Sequence, residues 1–210
     1  MSGMPVLLRG TKLRALVVDG GEVATRKVAA LLDTGASVRV VAPEISAALR
    51  ELATLRGDKL RLAERPYAAT DLGDANIVVA ATSSREVNAS VARDADLEGR
   101  LVNVVDAPDE GGWTAMATHS AGDLVIAVSA AGVPGAARRV RDAIAARFDG
   151  RYADGLSRLA ALRRRTISTR GGAEWRRAAA DLTDASFCDD VEKGAFAGRV
   201  ARWEREDAWR

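Results

Sequence analysis

A glycine pair, Gly20 and Gly21, follows an apolar run near the start of the chain, and a helical pattern begins directly after it. In open α/β sheets this strand, turn and helix N-terminus bind phosphate groups, because the free N–H groups of the helix attract anions. The dinucleotide turn G-x-G-x-x-G/A is matched at Gly21 and Ala24, whereas Asp19 stands at its first glycine position. The pattern therefore predicts a nucleotide site, and a turn with only a structural role is the alternative.

Two carboxylates also follow apolar runs and would lie at the same edge of a parallel sheet. Asp106 follows the run 101–105, where it is either a general acid–base group beside the cofactor or the cap of a loop that Pro108 stiffens. Glu44 is the acid nearest to the usual ribose-binding position, and it would also favour a helix N-terminus. Because no arginine directly follows the strand before Glu44, the sequence favours NAD over NADP.

The other reactive side chains do not form a recognisable catalytic or metal-binding group. His119 is the one histidine and Cys188 the one cysteine of the chain, whereas a metal site needs several ligands. We therefore predict no metal site and no intrachain disulfide. A chain without a disulfide or a signal peptide is expected in the cytoplasm. No apolar run approaches the length of about 20 residues that a membrane span requires, so we predict no membrane partner.

Strands that alternate with helices predict an α/β fold with a Rossmann-like, mostly parallel sheet in the first half of the chain. The predicted strands are 13–18, 37–42, 60–63, 77–81 and 101–105. The fourth is fully apolar and is expected in the centre of the sheet, whereas the third is expected near an edge. Ser83 and Glu86 have the spacing of a capping box for the helix after the fourth strand.

The pattern changes after Asp106, where helices replace the alternation. Strands are predicted at 114–118 and 123–129, and helices at 136–148, 152–167, 173–182 and 190–206. Asp189 and Glu192 have the spacing of a capping box at the start of the last helix. We therefore predict three parts: a nucleotide-binding domain (1–113), a central segment (114–150) and a helical C-terminal region (151–210).

The charge of the chain is nearly balanced, with 31 Lys and Arg against 29 Asp and Glu, so it does not by itself indicate a nucleic acid partner. Arginines nevertheless cluster at 138–141, 163–165 and 176–177. Such clusters are either solvated helix faces or a shared surface for a polyanionic ligand. Acidic residues between 181 and 192 argue against a nucleic-acid-binding tail.

Taken in order, several segments resemble the precorrin-2 dehydrogenase/sirohydrochlorin ferrochelatase family, which forms the N-terminal half of siroheme synthase and also exists as a stand-alone protein. The segments are Gly-Gly-Glu-Val-Ala-Thr-Arg-Lys (20–27), Val-Val-Ala-Pro-Glu (40–44), Val-Ala-Ala-Thr (79–82) with Val87 and Asn88, Asn-Val-Val-Asp-Ala-Pro (103–108), and Ile-Ala-Val-Ser (126–129). A glycine turn and an arginine-rich helix follow the last segment. The resemblance covers nearly the whole chain.

The resemblance implies an NAD-binding Rossmann domain, a central segment that forms a homodimer by strand exchange, and a helical tail. It implies NAD-dependent oxidation of precorrin-2 to sirohydrochlorin and, in some members, insertion of ferrous iron to give siroheme. Asp106 would be the carboxylate implicated in both reactions. The NAD site would comprise Gly20, Gly21, Glu22, Val23, Pro43, Glu44, Thr82 and Asn103, and the tetrapyrrole would contact Ser129, Gly132, Arg138 and Arg139.

The chain departs from the family pattern at four places, which include Ser83 and Ser84, where acids are common, and the segment 114–116, which usually has a proline. Asp19 replaces the first glycine of the turn, and the segment 130–135 lacks the usual hydroxyl residue and Gly-Gly pair. We predict a cytoplasmic, homodimeric, NAD-dependent precorrin-2 dehydrogenase. The alternative hypothesis is a diverged, non-catalytic dimer that binds a nucleotide or a tetrapyrrole.

Overall fold

The computed structural model describes residues 3–205 and divides the chain after Ala115 into two compact units. The first unit alternates strands with helices. Its strands are β1 (Arg14–Val18), β2 (Ser37–Ala42), β3 (Leu60–Glu64), β4 (Ile77–Ala80) and β5 (Leu101–Val104). Its helices are α1 (Glu22–Asp33), α2 (Ala47–Arg56) and α3 (Arg85–Leu97), with short 3-10 helices at Gly10–Lys12, Gly57–Lys59, Ala69–Leu72 and Pro108–Glu110.

Among the described residues, these strands form one five-stranded parallel sheet in the order β3-β2-β1-β4-β5. The predicted α/β class is confirmed, as are the edge position of β3 and the inner position of β4. Consecutive strands run outward from β1 in both directions, so the connections on the two sides of β1 diverge between β1 and β4. In open α/β sheets a crevice at this point, outside the carboxyl ends of the strands, is the usual ligand site.

The sheet is covered on both faces, which explains the nearly continuous apolar runs of its strands. Val17 and Val79 point to one face, where they pack with Val28 of α1 and Leu49 of α2. Residues of the opposite pleat form the second layer of the core, on the face that α3 covers. This layer contains Leu16, Val18, Val78, Val91 and Val104.

Two helices of this unit begin at serine caps. Ser46 accepts the N–H of Leu49 at the start of α2, and Ser84 accepts the N–H of Val87 at the start of α3. The predicted capping box of Ser83 and Glu86 is wrong, because α3 begins one residue later. The Ser84 N–H donates to the hydroxyl of Thr82, and this bond fixes Ser84 as the cap.

The second unit begins with an antiparallel hairpin of β6 (Ala117–Ala121) and β7 (Leu124–Val128), and helices follow it. They are α4 (Pro134–Ala145), α5 (Gly150–Thr169), α6 (Gly172–Leu182), α7 (Phe187–Glu192) and α8 (Phe196–Glu204). The central segment and the helical region, predicted as separate parts, thus lie in one compact unit. Among residues 3–205, no helix is both long enough and apolar enough to cross a membrane.

The prediction of one helix over 190–206 is wrong, because α7 and α8 are separate helices. Gly194 lies between them with φ 77°, a left-handed conformation that ends a helix. The predicted capping box of Asp189 and Glu192 is also wrong. Both residues lie inside α7, where Asp189 pairs with Lys193 and Glu192 accepts the hydroxyl of Tyr152. Residues 1–2 and 206–210 of the predicted parts lie outside the described residues.

The helical end of this unit is organised around Arg199 of α8, whose side chain is 11% exposed. Its guanidinium contacts Asp190 at 2.6 Å, Asp184 at 3.1 Å and the hydroxyl of Ser186 at 2.5 Å. Arg199, followed by the hydrogen bonds of Ser186, lowers the pKa of Asp184 to about 2. This cluster ties the segment before α7 to α8, beside the apolar cluster that includes Phe196.

In the first unit, the loop between β3 and β4 is held by Asp71, which is 4% exposed. Its carboxylate forms an ion pair with Arg65 and accepts the N–H of Ala68 at 2.9 Å. The hydrogen bond from Arg65, supported by that from Ala68, holds the pKa of Asp71 below its ordinary value of 3.8 although burial opposes this shift. The ionised carboxylate is therefore part of the folded structure.

We expect Asp71→Asn to lower the free energy of unfolding by about 2 kcal/mol at neutral pH, because a buried charge-assisted bond is lost. The folded pKa is below the unfolded one, so this stabilisation is present above about pH 4 and disappears as the pH falls through the folded pKa. Urea unfolding at about pH 7 and about pH 3 measures the difference. Asp33→Asn is the control: Asp33 pairs with Arg56 but its side chain is 64% exposed, so we expect a loss below about 0.5 kcal/mol. An equal loss of unfolding free energy in both variants would contradict the stabilising role of the ionised Asp71 carboxylate.

Candidate active site

A cleft of about 440 Å³ lies at the carboxyl edge of the sheet. It is bordered by the residues that end or follow β1, β2, β3 and β4, together with the first turns of α3. Its lining residues are Val18, Asp19, Ala42, Pro43, Glu44, Pro66, Tyr67, Thr82, Ser83, Ser84, Val87 and Ser90. Apolar walls, several hydroxyl groups and two carboxylates thus surround one concave space, a composition that is typical of small-molecule sites.

The glycine turn beside this cleft needs at least one glycine for steric reasons. A Cβ on Gly20 would lie 1.9 Å from the carbonyl oxygen of Glu44, which no side chain can tolerate. The N–H of Ser46 donates to the Gly20 carbonyl at 3.1 Å, so the turn is fastened to the segment after β2. Gly21 is exposed and caps α1. This tight approach of two loops puts the N-terminus of α1 next to Glu44.

Asp19 occupies a backbone conformation that favours glycine, with φ 151°. Its carboxylate oxygen Oδ2 accepts the N–H of Gly21 at 3.1 Å. The side chain therefore binds the N–H group that a dinucleotide turn would offer to a phosphate. Asp19 combines backbone strain with a competing negative charge, and both come from one replacement in the turn.

A buried amide connects the cleft with the predicted catalytic carboxylate. Asn88 of α3 is 0% exposed. Its Oδ1 accepts hydrogen bonds from the N–H of Thr82 at 3.0 Å and from the hydroxyl of Thr82 at 2.8 Å. Its Nδ2 donates to the Thr82 carbonyl at 2.9 Å and to Oδ1 of Asp106 at 2.9 Å. Thr82 lines the cleft, so Asp106 is tied to a cleft residue through one intervening side chain.

Asp106 is partly open to solvent, with its side chain 37% exposed. Its second oxygen, Oδ2, lies 3.9 Å from Nε of Arg85. Arg85 also pairs with Glu110, and this carboxylate raises the pKa of the guanidinium. Asp106 is thus accessible to a ligand, anchored through one oxygen and close to a positive charge.

Asn103 lies on the opposite side of β5 from this network. It is 4% exposed, accepts the ammonium of Lys27 at 2.8 Å and donates to the carbonyl of Trp113 at 3.0 Å. Burial, followed by repulsion from Arg26, lowers the pKa of Lys27. Asn103 does not line the cleft, so its predicted contact with NAD stays a prediction.

The structure brings part of the predicted cofactor set together. Pro43, Glu44 and Thr82 line the cleft. The four residues of the turn and of the first turn of α1 follow Asp19 directly along the chain; they are Gly20, Gly21, Glu22 and Val23.

The predicted substrate residues lie in the second unit. Ser129 and Gly132 belong to the exposed turn after β7, where Gly132 has φ 75°, and Arg138 and Arg139 are exposed on α4. Their contact with the tetrapyrrole stays a prediction.

Two residues of the site were missed in the sequence. Tyr67 lines the cleft, and its hydroxyl donates to Asp94 at 3.2 Å; burial, followed by the Asp94 charge, raises its pKa. Asn88 belongs to a segment that resembles the family, but the sequence assigns it no role. An amide at a buried helical position, just before Val91 of the core, was the available signal. Among residues 3–205 no three His, Cys, Asp or Glu side chains are grouped to hold a metal ion.

Comparison with known proteins places this geometry in a family. Residues 6–116 match a family model described as "Putative NAD(P)-binding". Siroheme synthase of Chromobacterium violaceum is 42% identical over 161 residues, which are 76% of this chain and 33% of the relative. That of Pseudomonas fluorescens strain SBW25 is 36% identical over 204 residues, 97% of this chain and 41% of the relative. The chain therefore spans well under half the length of these two relatives.

A solved structure gives the corresponding match in three dimensions. SirC, precorrin-2 dehydrogenase, superposes with a TM-score of 0.76 at 25% sequence identity. The match covers 95% of this chain and 100% of the other one. The likeness therefore extends over both units of the present chain.

We expect Asp19→Gly to tighten NAD⁺ binding by about tenfold, because the variant removes a negative charge and frees the Gly21 N–H for a phosphate. Titration calorimetry measures the dissociation constant. Ala131→Gly is the matched control, since Ala131 is another non-glycine residue with positive φ, at 45°, but lies in the second unit. The control should leave NAD⁺ affinity unchanged. Unchanged or weaker binding by Asp19→Gly would show that Asp19 does not limit the site.

Proposed function

We propose, since the chain belongs to the precorrin-2 dehydrogenase/sirohydrochlorin ferrochelatase family, that it oxidises precorrin-2 to sirohydrochlorin with NAD⁺ as the hydride acceptor. The observation that carries the proposal is the link from the cleft to Asp106. Thr82 lines the cleft, Asn88 binds Thr82 and Asp106 together, and Asp106 is exposed to a ligand. A cofactor crevice and a proton acceptor thus share one edge of the sheet.

The cleft residues fit the chemistry of NAD. Val18, Ala42 and Pro43 offer apolar surface to an adenine ring, and the Glu44 carboxylate can accept a ribose hydroxyl. Thr82 and the neighbouring serines offer hydroxyl groups to the polar parts of the cofactor. When bound, NAD⁺ supplies an acceptor for the hydride. The competing carboxylate of Asp19 opposes the binding of a pyrophosphate.

Asp106 supplies the second half of the reaction. The oxidation removes a hydride and a proton from precorrin-2, so a base is useful only for the proton. A carboxylate that is 37% exposed can receive this proton from the substrate and then release it to water. Removing such a base typically lowers a rate by about 10²–10⁴-fold.

The second unit offers groups that suit an acidic tetrapyrrole. Precorrin-2 carries acetate and propionate side chains around its ring, and guanidinium groups bind carboxylates with two parallel hydrogen bonds. Arg138 and Arg139 are exposed on α4, after the turn that contains Ser129 and Gly132. We propose that these four residues contact the substrate.

Insertion of ferrous iron is a further reaction that we include in the proposal, with iron as a substrate. Metalation of sirohydrochlorin requires the removal of pyrrole protons, which a carboxylate such as Asp106 can accept. We propose a cytoplasmic location, where NAD⁺ is available and thiols stay reduced; the thiol of Cys188 is free.

The decisive assay supplies precorrin-2 and NAD⁺, with and without ferrous iron, and follows the absorption spectra of sirohydrochlorin and siroheme. We expect NAD-dependent formation of sirohydrochlorin, and we expect Asp106→Ala to reduce its rate at least about 100-fold. Asp109→Ala is the matched control, because Asp109 is a nearby exposed carboxylate and should be dispensable. Binding of NAD⁺ and sirohydrochlorin without any turnover would contradict the proposed enzyme and favour a non-catalytic module that binds these ligands. Full activity of Asp106→Ala would remove Asp106 from its assigned role.

We also propose that the chain forms a homodimer through the segment 114–150. Within the described residues, β6 and β7 pair only with each other, so each leaves one edge without a neighbouring strand. Apolar side chains are exposed on and around this hairpin: Val125 is 48% exposed, Val133 56% and Val140 48%. A second copy that adds strands to the hairpin would pair the free edges and cover these side chains.

We expect sedimentation velocity to show a dimer, and Val125→Glu to shift the distribution towards monomer by at least about tenfold in dissociation constant, because a buried charge opposes association. Leu97→Glu is the control. Leu97 is 80% exposed but lies at the end of α3, outside the segment. A monomeric parent chain, or a Val125→Glu variant that dimerises as before, would contradict the assignment.

A further inference from the structure

We propose that Asn88 is a positioning residue that gives the two oxygens of Asp106 different tasks, so that Oδ1 is the anchor and Oδ2 receives the proton. This inference rests on the proposed function, because it concerns the carboxylate assigned there as the base. Asn88 itself is completely buried and has no contact with solvent. It therefore acts through Asp106 rather than on the substrate.

The orientation of the Asn88 amide is determined by Thr82. The backbone N–H of Thr82 can only donate, and it lies 3.0 Å from Oδ1 of Asn88, so this atom must be the amide oxygen. The other end of the amide is then Nδ2, which faces the carbonyl oxygen of Thr82 at 2.9 Å. Two independent contacts with one residue thus exclude the flipped amide.

With this orientation, Nδ2 of Asn88 must donate to Oδ1 of Asp106. A proton on Oδ1 would face an N–H group, so protonation at this oxygen is disfavoured. The four hydrogen-bonding positions of the amide are all used, three by Thr82 and one by Asp106. The amide cannot turn to accept a proton without losing its bonds to Thr82.

The remaining oxygen of Asp106, Oδ2, is the one that faces a charged group. Nε of Arg85 lies 3.9 Å away, and Arg85 is itself paired with Glu110. Asn88 is neutral, so the charged side chain that faces Asp106 is Arg85 from α3, and Arg85 in turn pairs with Glu110 from the 3-10 helix Pro108–Glu110. At this distance Arg85 does not occupy Oδ2 with a direct hydrogen bond. This oxygen is therefore available to the substrate.

Asn88 also ties Thr82 to α3, so a variant must separate this structural role from the positioning role. Asn88→Asp keeps the acceptor for the Thr82 N–H and hydroxyl, but it replaces the group that donates to Asp106 and to the Thr82 carbonyl by a carboxylate oxygen. Two carboxyl groups at hydrogen-bonding distance share a proton and titrate as a pair, which moves one ionisation to higher pH. A loss of stability alone has no such effect on a pH profile.

We expect Asn88→Asp to lower kcat about tenfold or more and to move the acidic limb of the kcat profile up by about one pH unit, with KM for precorrin-2 and the NAD⁺ dissociation constant unchanged. Asn88→Ser should lower kcat with little shift of the limb. Asn76→Asp is the matched control: its Oδ1 accepts the N–H of Arg14 and its Nδ2 donates to the carbonyl of Lys12, at the amino edge of the same sheet. An unchanged kcat and pH profile in Asn88→Asp, beside an active parent, would overturn the inference and leave the proposed function standing.

A second measurement needs neither activity nor an Asn88 variant. In the parent chain, the side-chain N–H signals of Asn88 in ¹⁵N–¹H spectra should move with pH at the same midpoint as the Asp106 carboxyl carbon, because the two groups are hydrogen-bonded. Asp106→Asn should abolish this movement. If the signals follow Asp106 while no sirohydrochlorin is formed in the assay, the positioning contact stands and the proposed reaction fails. If they do not respond to Asp106, the inference fails whatever the activity.

Discussion

The structure of the first unit depends on a parallel sheet that is buried on both faces. Residues such as Val17, Val40 and Val78 are completely buried, so the sheet interior has no place for an unpaired polar side chain. The polar side chains that line the cleft are therefore found at and after the strand ends, where the backbone also leaves the hydrogen-bonded ladder. This constraint brings residues from four different segments of the chain to one cleft at the carboxyl edge.

The same constraint explains why the glycine turn tolerates only certain changes. Gly20 passes so close to the carbonyl oxygen of Glu44 that a side chain is excluded, whereas the preceding position is limited by its backbone angle alone. An aspartate can occupy it at an energetic penalty of about 1–3 kcal/mol, partly offset by the bond from its carboxylate to the Gly21 N–H. Steric exclusion requires glycine at position 20. Position 19 accepts an aspartate despite the backbone strain, and the carboxylate of this aspartate alters the anion site.

Features with a short-range physical cause could be predicted from the sequence. The strand Ser37–Ala42 has the predicted bounds, since its apolar residues and the turn before it are local signals. Both predicted capping boxes were wrong, because spacing alone does not choose between Ser83 and Ser84 or exclude an acid inside a helix. Asn88 could not be assigned a role, because its partner Asp106 lies 18 residues further along the chain and meets it only through the pairing of β4 with β5.

The segment Asn-Val-Val-Asp at the end of β5 shows how one short stretch serves two faces of the sheet. Asn103 turns to the face of α1, where it binds Lys27 and the Trp113 carbonyl. Asp106, three residues later, turns to the face of α3 and binds Asn88. Successive side chains of a strand alternate between faces, so Asn103 lies on the face opposite to Val102 and Val104, whereas Asp106 follows in the bend after β5. Asn103 binds the strand end and the following loop to α1, and Asn88 binds Asp106 to α3. The two polar residues of this segment therefore have separate tasks, because Asn103 is a buried support and Asp106 is open to a ligand.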